Sequence, residues 1–418
     1  MNRRSSRRPT SARTQLRLVG RGPRTSEVPS DVPPRSLCVA GLFAGIGGLE
    51  LGLQRAGHRT KLLCELDTGA RAVLDARFPD VRKHDDICSL RDLPPGTDLV
   101  TAGFPCQDLS QAGQTRGIGG DRSGLVAQVF RLLERRRVPW VLLENVPFML
   151  QLSRGRALDV IVDALERLGY KWAYRVVDTR AFGLPQRRER VFLLASLHAD
   201  PRDVLFVDEA EPLDEEVRLA EVAFGFYWTE GIRGLGAAVD SIPTLKGGST
   251  IGIPSPPAIL MPDGRIVKPD LRDAERMQGF EADWTVPAEN GSGRGRGHRW
   301  KLVGNAVTVD VAEWLGNRLA RPGRFKQSEA GPILPGRSWP RVAWNVGDGR
   351  FTMDLSRWPV ARRGVALTKF LKFPPQMLSV KATAGFLARA ESGSLRFPAG
   401  FLEAVAAHLR RMQDSAAA

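Results

Sequence analysis

The chain has 418 residues, 42% of them apolar, enough for two or three domains with packed cores. It has no apolar run of membrane-spanning length and no apolar secretory core at its amino end, which excludes a spanning or signal-led protein from the expectations. Its net charge of +15 sits at the two ends, +7 over residues 1–35 and +10 over residues 321–418, leaving −2 between them. Flanking cations of this kind favour a polyanionic partner and make its binding salt-sensitive. The Arg- and Ser-rich start reads as a basic arm without fixed structure, or as a transit-like address. Cys38, Cys64, Cys88 and Cys106 form no Cys-x-x-Cys pair, so neither a metal site nor a disulfide framework is expected. A reducing cytoplasm fits those free thiols.

In chain order, the first half alternates strand and helix, the pattern of a doubly wound, mostly parallel sheet. A strand is predicted from Ser36 to Phe43, then a helix from Leu49 to Ala56 closed by Gly57. Lys61 to Glu65 makes a second strand, and Gly69 to Phe78 a helix stopped by Pro79. Asp85-Asp86-Ile87 ends a third strand. Later strands are expected at Asp98–Ala102, Trp140–Glu144, Lys171–Asp178 and Val191–Ala195, with helices at Leu125–Arg136 and Ala157–Leu168. Residues 241–264 carry Pro243, Pro254, Pro256, Pro257 and Pro262, too many breakers for a sheet core. Helical character returns at Asp270–Gly279, after Gly304, and over Ala382–Leu409 with breaks near Gly393 and Pro398.

Chemistry concentrates where strands end. Phe43-Ala44-Gly45-Ile46-Gly47-Gly48 is a glycine turn between strand and helix, where bare backbone can approach a ligand. Glu65 ends the second strand, where an acid can accept bonds from ribose hydroxyls. Gly103-Phe104-Pro105-Cys106-Gln107 closes an apolar strand with a thiol, and Glu144-Asn145-Val146 closes the next. Gln186-Arg187-Arg188-Glu189-Arg190 leads into a further strand, and Gly304-Asn305-Ala306-Val307 follows much later. Each has a plain reading taken singly: a buried cysteine, a packing turn, a strand-end acid, a surface charge run. Their order is what carries weight.

In that order the motifs resemble those of the cytosine-5 DNA methyltransferases of bacterial type, over roughly residues 36–320. The resemblance implies a Rossmann-like class I methyltransferase fold, α/β, with a smaller target-recognition domain. It implies S-adenosylmethionine as cofactor, held by Phe43, Gly45, Gly47, Gly48, Leu49, Glu65, Leu66, Asp86, Ile87, Gly103, Pro105, Asn305 and Val307. Phe43 would stack near the adenine, Glu65 hold the ribose, Asp86 face the adenine amine and Asn305 line the methionine end. Where the family's third-strand motif reads Gly-Asp-Ile, Asp85 replaces the glycine here. The catalytic set would be Cys106, Glu144, Arg188 and Arg190. Carbon 5 of cytosine is a poor nucleophile, so a thiolate must first add to carbon 6. A free thiol, with a pKa of about 8.5, needs help to ionise. Glu144 could bond or protonate the ring nitrogen between carbons 2 and 4, offsetting the charge that addition creates. Alternate residues of an extended segment share a face, so Arg188 and Arg190 should project together, Arg190 to the base and Arg188 to the DNA backbone.

The target base must swing out of double-stranded DNA, and the Gly-, Ser- and Gln-rich segment Gln107–Arg122 resembles the family's loop that closes over DNA. Gln107, Ser110, Gln111, Arg116, Gln186 and Arg233 are the expected DNA contacts. The aromatics Phe224, Phe226, Tyr227 and Trp228 fall in the target-reading region, and acidic Asp208–Glu216 should face away from DNA. The expected domains are the basic arm 1–35, a catalytic domain 36–196 with 300–322, a recognition domain 197–299, and a basic, mainly helical extension 323–418. Trp339, Trp344 and Trp358 among the arginines there suit either nucleic-acid contact or packing onto the main domain, the latter favoured. A tRNA enzyme of the same chemistry and a non-catalytic DNA-binding relative are the alternative functions. The family also implies a monomer at the nucleoid, with a cognate restriction or defence system as a possible companion.

Overall fold

The computed structural model describes residues 34–105, 124–213, 216–247, 256–292, 295–326, 330–333 and 338–417. Cys106, Gln107, Ser110, Gln111, Arg116 and all but the end of the basic arm lie outside the described residues.

Strand β1 (Cys38–Leu42) is buried along its whole length, because neighbours cover both its edges and helices both its faces. Helix α1 (Gly48–Arg55) follows, then β2 (Arg59–Cys64), α2 (Thr68–Arg77) and β3 (Arg82–His84). The chain crosses back to β4 (Leu99–Ala102), α3 (Leu125–Arg135), β5 (Trp140–Asn145), α4 (Arg156–Arg167) and β6 (Lys171–Asp178). A two-residue strand β7 (Gln186–Arg187) precedes β8 (Glu189–Ser196), which inserts antiparallel between β5 and β6. The order β3-β2-β1-β4-β5-β8-β6 reverses between β1 and β4, opening a crevice at the carboxyl ends of those strands. Val100, Phe130, Ile161 and Trp172 belong to the apolar cluster on one face, Leu53, Trp140, Phe192 and Trp314 to that on the other.

After helix α5 (Arg202–Leu205), a second sheet begins with β9 (Phe224–Phe226) and β10 (Ala237–Val239). Strand β11 (Ile242–Pro243) pairs with β7 and ties this half to the first. Strands β12 (Ala258–Leu260) and β13 (Ile266–Lys268) follow. The expectation that residues 241–264 avoid a sheet core is corrected: β12 lies between β9 and β13, and its prolines flank it without interrupting its ladder. Phe224 and Phe226 are core residues here, packed against Phe386 and Phe401, so they do not face a target.

Helices α6 (Leu271–Met277), α7 (Pro287–Ser292), α8 (Gly295–Asn305) and α9 (Val309–Ala320) return the chain to the first sheet. Gly52 of α1 is what lets α9 close in, since a β-carbon there would stand 2.5 Å from Ala312 and Val309. Helix α8 was not expected. Its sequence is rich in glycine and lacks an apolar stripe, and Arg299 holds it instead, through ion pairs with buried Glu275 at 3.2 Å and with Glu289 at 2.7 Å.

The last hundred residues end in the two expected helices, broken between Ser392 and Phe401, but also carry strands. Strands β14 (Gly331–Pro332), β15 (Val342–Asn345) and β16 (Phe351–Thr352) lengthen the first sheet beyond β6. After α10 (Leu367–Phe370), strand β17 (Gln376–Met377) lengthens the second, and α11 (Val380–Ser392) and α12 (Phe401–Ala417) pack on it. Trp339, Trp344 and Trp358 are all buried, the packing alternative. Asp208, expected on a face away from DNA, is buried and paired with Arg318 and Trp314.

Candidate active site

Because β8 runs antiparallel to β5, its beginning lies at the carboxyl end of β5. Asn145 sits opposite Val191 and Glu144 opposite Phe192, which brings Arg190 onto the Glu144 side as a diagonal neighbour. Arg190 Nε stands 3.1 Å from Glu144 Oε1. A β-carbon on Gly103 would lie 3.3 Å from Glu144 Oε2, so the strand end leading to Pro105 packs directly on the carboxyl group. Asn145 Nδ2 donates to the Phe104 carbonyl at 3.0 Å and locks the two strand ends together. Burial raises the Glu144 pKa above the ordinary carboxylate range, against the opposing pull of Arg190 and Arg188. Burial also works against charge on both guanidiniums, but arginine stays protonated. The result is a carboxyl group held close to its proton beside a fixed cation.

Arg188 is placed differently from expectation. It is almost fully buried, and its Nη atoms donate to the carbonyls of Leu245, Gly304 and Ala306 at 3.0, 3.2 and 2.6 Å. It therefore pins three segments together and has no free face for a DNA phosphate. Gln186 is corrected likewise: fully buried, it donates to Met277 O at 3.0 Å and accepts from Leu245 N at 3.0 Å, so its amide is spent inside the protein. Arg233 is exposed in the connection between β9 and β10.

Beside this pair lies a cavity of about 440 Å³ at the sheet's switch point. Phe43, Gly45, Glu65, Leu66, Asp86, Ile87, Gly103, Pro105 and Asn305, all named as cofactor contacts by the resemblance, are brought together in its lining. Phe43 holds φ at +55°, the left-handed region that a bulky residue adopts only under constraint from its surroundings. Glu65 is anchored at both oxygens, accepting from Gly45 N and Asp67 N at 2.8 Å each. Leu66 is two-thirds exposed (67%), an apolar face turned to solvent. Asp86 follows β3 rather than ending it, and accepts from Cys88 N at 2.8 Å.

Four further residues expected at the cofactor, Gly47, Gly48, Leu49 and Val307, do not line the cavity and pack behind it. A β-carbon on Gly47 would meet the Phe78 ring at 2.4 Å, and one on Gly48 the Val307 carbonyl at 2.3 Å. Leu49 is buried in the apolar core, and Val307 backs Gly48. Sequence reading missed Cys64, Asp67, Asp85, Leu125, Lys301 and Leu302, which also line the cavity. Lys301 and Leu302 precede Asn305 by four and three residues, which is one helix face, but the glycines of α8 hid the helix. Burial followed by nearby carboxylates pushes the Cys64 thiol up to about 12, so it stays neutral. Burial raises Asp67, but bonds from Ala70 N and His298 outweigh it and leave the acid lowered and charged. Glu65, Asp67, Asp85 and Asp86 against Lys301 make the lining acidic, which suits a ligand carrying positive charge.

The sequence matches the family described as C-5 cytosine-specific DNA methylase over residues 37–218. The type II methyltransferase M2.BsuMI of Bacillus subtilis (strain 168) is 49% identical over 362 residues, which cover 84% of this chain and 92% of that protein. The type II methyltransferase M.NgoBI of Neisseria gonorrhoeae is 30% identical over 294 residues, 65% of this chain and 89% of that one. Among solved structures, the Entamoeba histolytica methyltransferase EhMeth has the same fold, with a TM-score of 0.50 at 16% identity over 68% of this chain and 98% of that one.

Proposed function

The chain belongs to the C-5 cytosine-specific DNA methylase family, and from that premise we propose how its residues divide the work. It is a DNA (cytosine-5-)-methyltransferase that uses S-adenosylmethionine, as the motif order implied, and the tRNA and non-catalytic alternatives lose their ground. The observation that carries the site reading is the buried Glu144–Arg190 pair packed on Gly103, next to an acidic cavity at the switch point.

S-adenosylmethionine, when bound, supplies a sulfonium methyl group. In our reading Glu65 accepts from the ribose hydroxyls, Leu66 and Ile87 cover the adenine, and Asn305 faces the methionine end. The acidic lining favours a ligand with a sulfonium charge. A cytosine flipped from duplex DNA enters beside Glu144. The Cys106 thiolate adds to carbon 6, Glu144 gives its proton to the ring nitrogen between carbons 2 and 4, and Arg190 bonds the exocyclic oxygen. Carbon 5 is thereby made nucleophilic. Arg188 acts at one remove, by holding the Gly304–Ala306 turn against the Leu245 segment.

We further propose that the chain protects its site against a companion restriction endonuclease, since its relatives are named as type II methyltransferases. None of the described helices is long and apolar enough to cross a membrane. A monomer working at the nucleoid in the cytoplasm fits this reading.

The test is expression in a bacterial host lacking cytosine methylation, with bisulfite sequencing of its genome for wild type and Cys106→Ala. Methylation at one short motif, absent in the variant, supports the reaction, the nucleophile and the specificity together. Methylation that persists in Cys106→Ala overturns the covalent role of the thiol.

A further inference from the structure

The segment Thr244–Gly247 lies against Asn305, which lines the cavity, and is tied down on both sides. Thr244 Oγ1 donates to Arg187 O at 2.8 Å, and Leu245 exchanges bonds with Gln186 and Arg188. On the other side, Gly304 has no room for a β-carbon because the Lys246 carbonyl lies 2.4 Å from where it would be. The amide oxygen of Asn305 would likewise stand 2.4 Å from a β-carbon on Gly247. This backbone has a fixed position between the arginine motif and the Gly304–Asn305 turn, so Lys246 projects from a rigid base.

The Lys246 ammonium stands 3.6 Å from the centroid of the Tyr227 ring and 3.1 Å from Glu230 Oε1, with its side chain 47% exposed. Tyr227 is buried and donates its hydroxyl to Thr244 O. Its hydroxyl thus meets the backbone next to Leu245, whose carbonyl takes Arg188, while its ring face carries the surface cation. Glu230 is itself fixed, since its other oxygen accepts from Gly236 N at 2.8 Å.

A flipped nucleotide keeps its two phosphates, which stay at the pocket's mouth while the base goes in. A cation there should be held in place before DNA arrives and be free to exchange partners. An exposed Lys–Glu pair is weak enough to exchange, and a ring face keeps the ammonium in position meanwhile. Resting on the reading that the Glu144 pocket takes a flipped cytosine, we infer that Lys246 binds the backbone phosphate adjoining that cytosine. Glu230 and Tyr227 hold it ready. Neither the motif order nor the charge pattern pointed to Lys246 or Glu230.

The experiment uses the full chain, a duplex carrying the site found by bisulfite sequencing, and the same duplex with one neutral methylphosphonate next to the target cytosine. Lys246→Met should weaken binding to the normal duplex about 3- to 30-fold near 0.1 M salt and lower the slope of log K against log salt by about 1. KM for DNA should rise more than kcat falls, and Lys246→Arg should restore the slope. Wild type should lose as much on the methylphosphonate duplex as Lys246→Met loses on the normal one, and the variant should lose nothing further there. Glu230→Gln, which keeps an acceptor for Gly236, should tighten binding by freeing the ammonium. If Lys246→Met keeps the wild-type slope while wild type still methylates its site, the phosphate role is overturned and the reading of the site stands. If Lys246→Met does not fold, unchanged or weakened DNA binding by Glu230→Gln overturns the inference. If wild type methylates no site, the reading itself fails, and this inference with it.

Discussion

Arg190 Nε lies 3.1 Å from Glu144 Oε1 across two antiparallel strands, in a setting where the carboxyl group is almost wholly buried. Desolvation and the arginine act on Glu144 in opposite directions, and desolvation prevails, so its pKa is raised. A raised pKa keeps more of the acid protonated as pH climbs, and the proton is what the addition step consumes. Single-turnover methylation should therefore fall on the alkaline side as Glu144 loses its proton. Glu144→Gln should remove that limb and cut the rate about 10²- to 10⁴-fold, with cofactor affinity kept. A variant with an unaltered pH profile would mean that Glu144 is not the proton donor.

Lys301 is the single Lys or Arg among the described residues lining the cavity, facing four carboxylates. The methionine part of the cofactor ends in a carboxylate that those acids would repel. Lys301→Met should weaken S-adenosylmethionine and S-adenosylhomocysteine alike, by about 5- to 20-fold, the scale of one charge-assisted bond. Titration calorimetry measures both. A loss for one ligand only would place the ammonium nearer the sulfur than the carboxylate.

Glu50 lies under the cofactor turn, buried between Gly41 and Thr101. One oxygen accepts from Thr101 at 2.9 Å, and the other has no partner among the described residues. Burial above all pushes its pKa from 4.5 to about 7. The fold thus favours the protonated form, and stability present below pH 4.5 is lost as pH rises to about 7. Glu50→Gln should match wild type in acid and exceed it by roughly 3 kcal/mol at pH 8. Urea melts at several pH values test this, and a difference independent of pH would refute it.

How much could be read beforehand depended on element length. β1, β4 and β5 are short, fully buried and mostly apolar runs between clear punctuation, so sequence pattern located them. The second sheet is built from strands of two or three residues, shorter than any period can register, and its aromatics looked like contact residues when they are core. Glu144 and Arg190 were legible because each lies one residue inside the end of a first-sheet strand. Arg188 and Gln186 shared the same motif, yet their partners Leu245, Gly304 and Met277 are distant in sequence, so nothing local marked them as buried. Lys246 and Lys301 were invisible for the same reason: their meaning comes from the segments that fold against them.

The C-terminal hundred residues complete the catalytic sheet, and this bears on truncation. Trp344 of β15 pairs with Ala173 of β6, is fully buried, and packs its ring against Phe206 and Phe351 at 5.8 and 6.0 Å between centroids. Removing so large a side chain from a closed core costs about 3–5 kcal/mol, a large share of the stability of a typical domain. Trp344→Ala should therefore lower the urea midpoint sharply. A chain ending at residue 324 would go further, baring the β6 edge and the apolar surface beneath Trp339 and Trp358. Such a chain should be recovered aggregated or unfolded, and lose DNA binding and cofactor binding together. A shortened chain that melts like the whole one, and loses only DNA affinity, would instead make the tail a nucleic-acid contact independent of the fold.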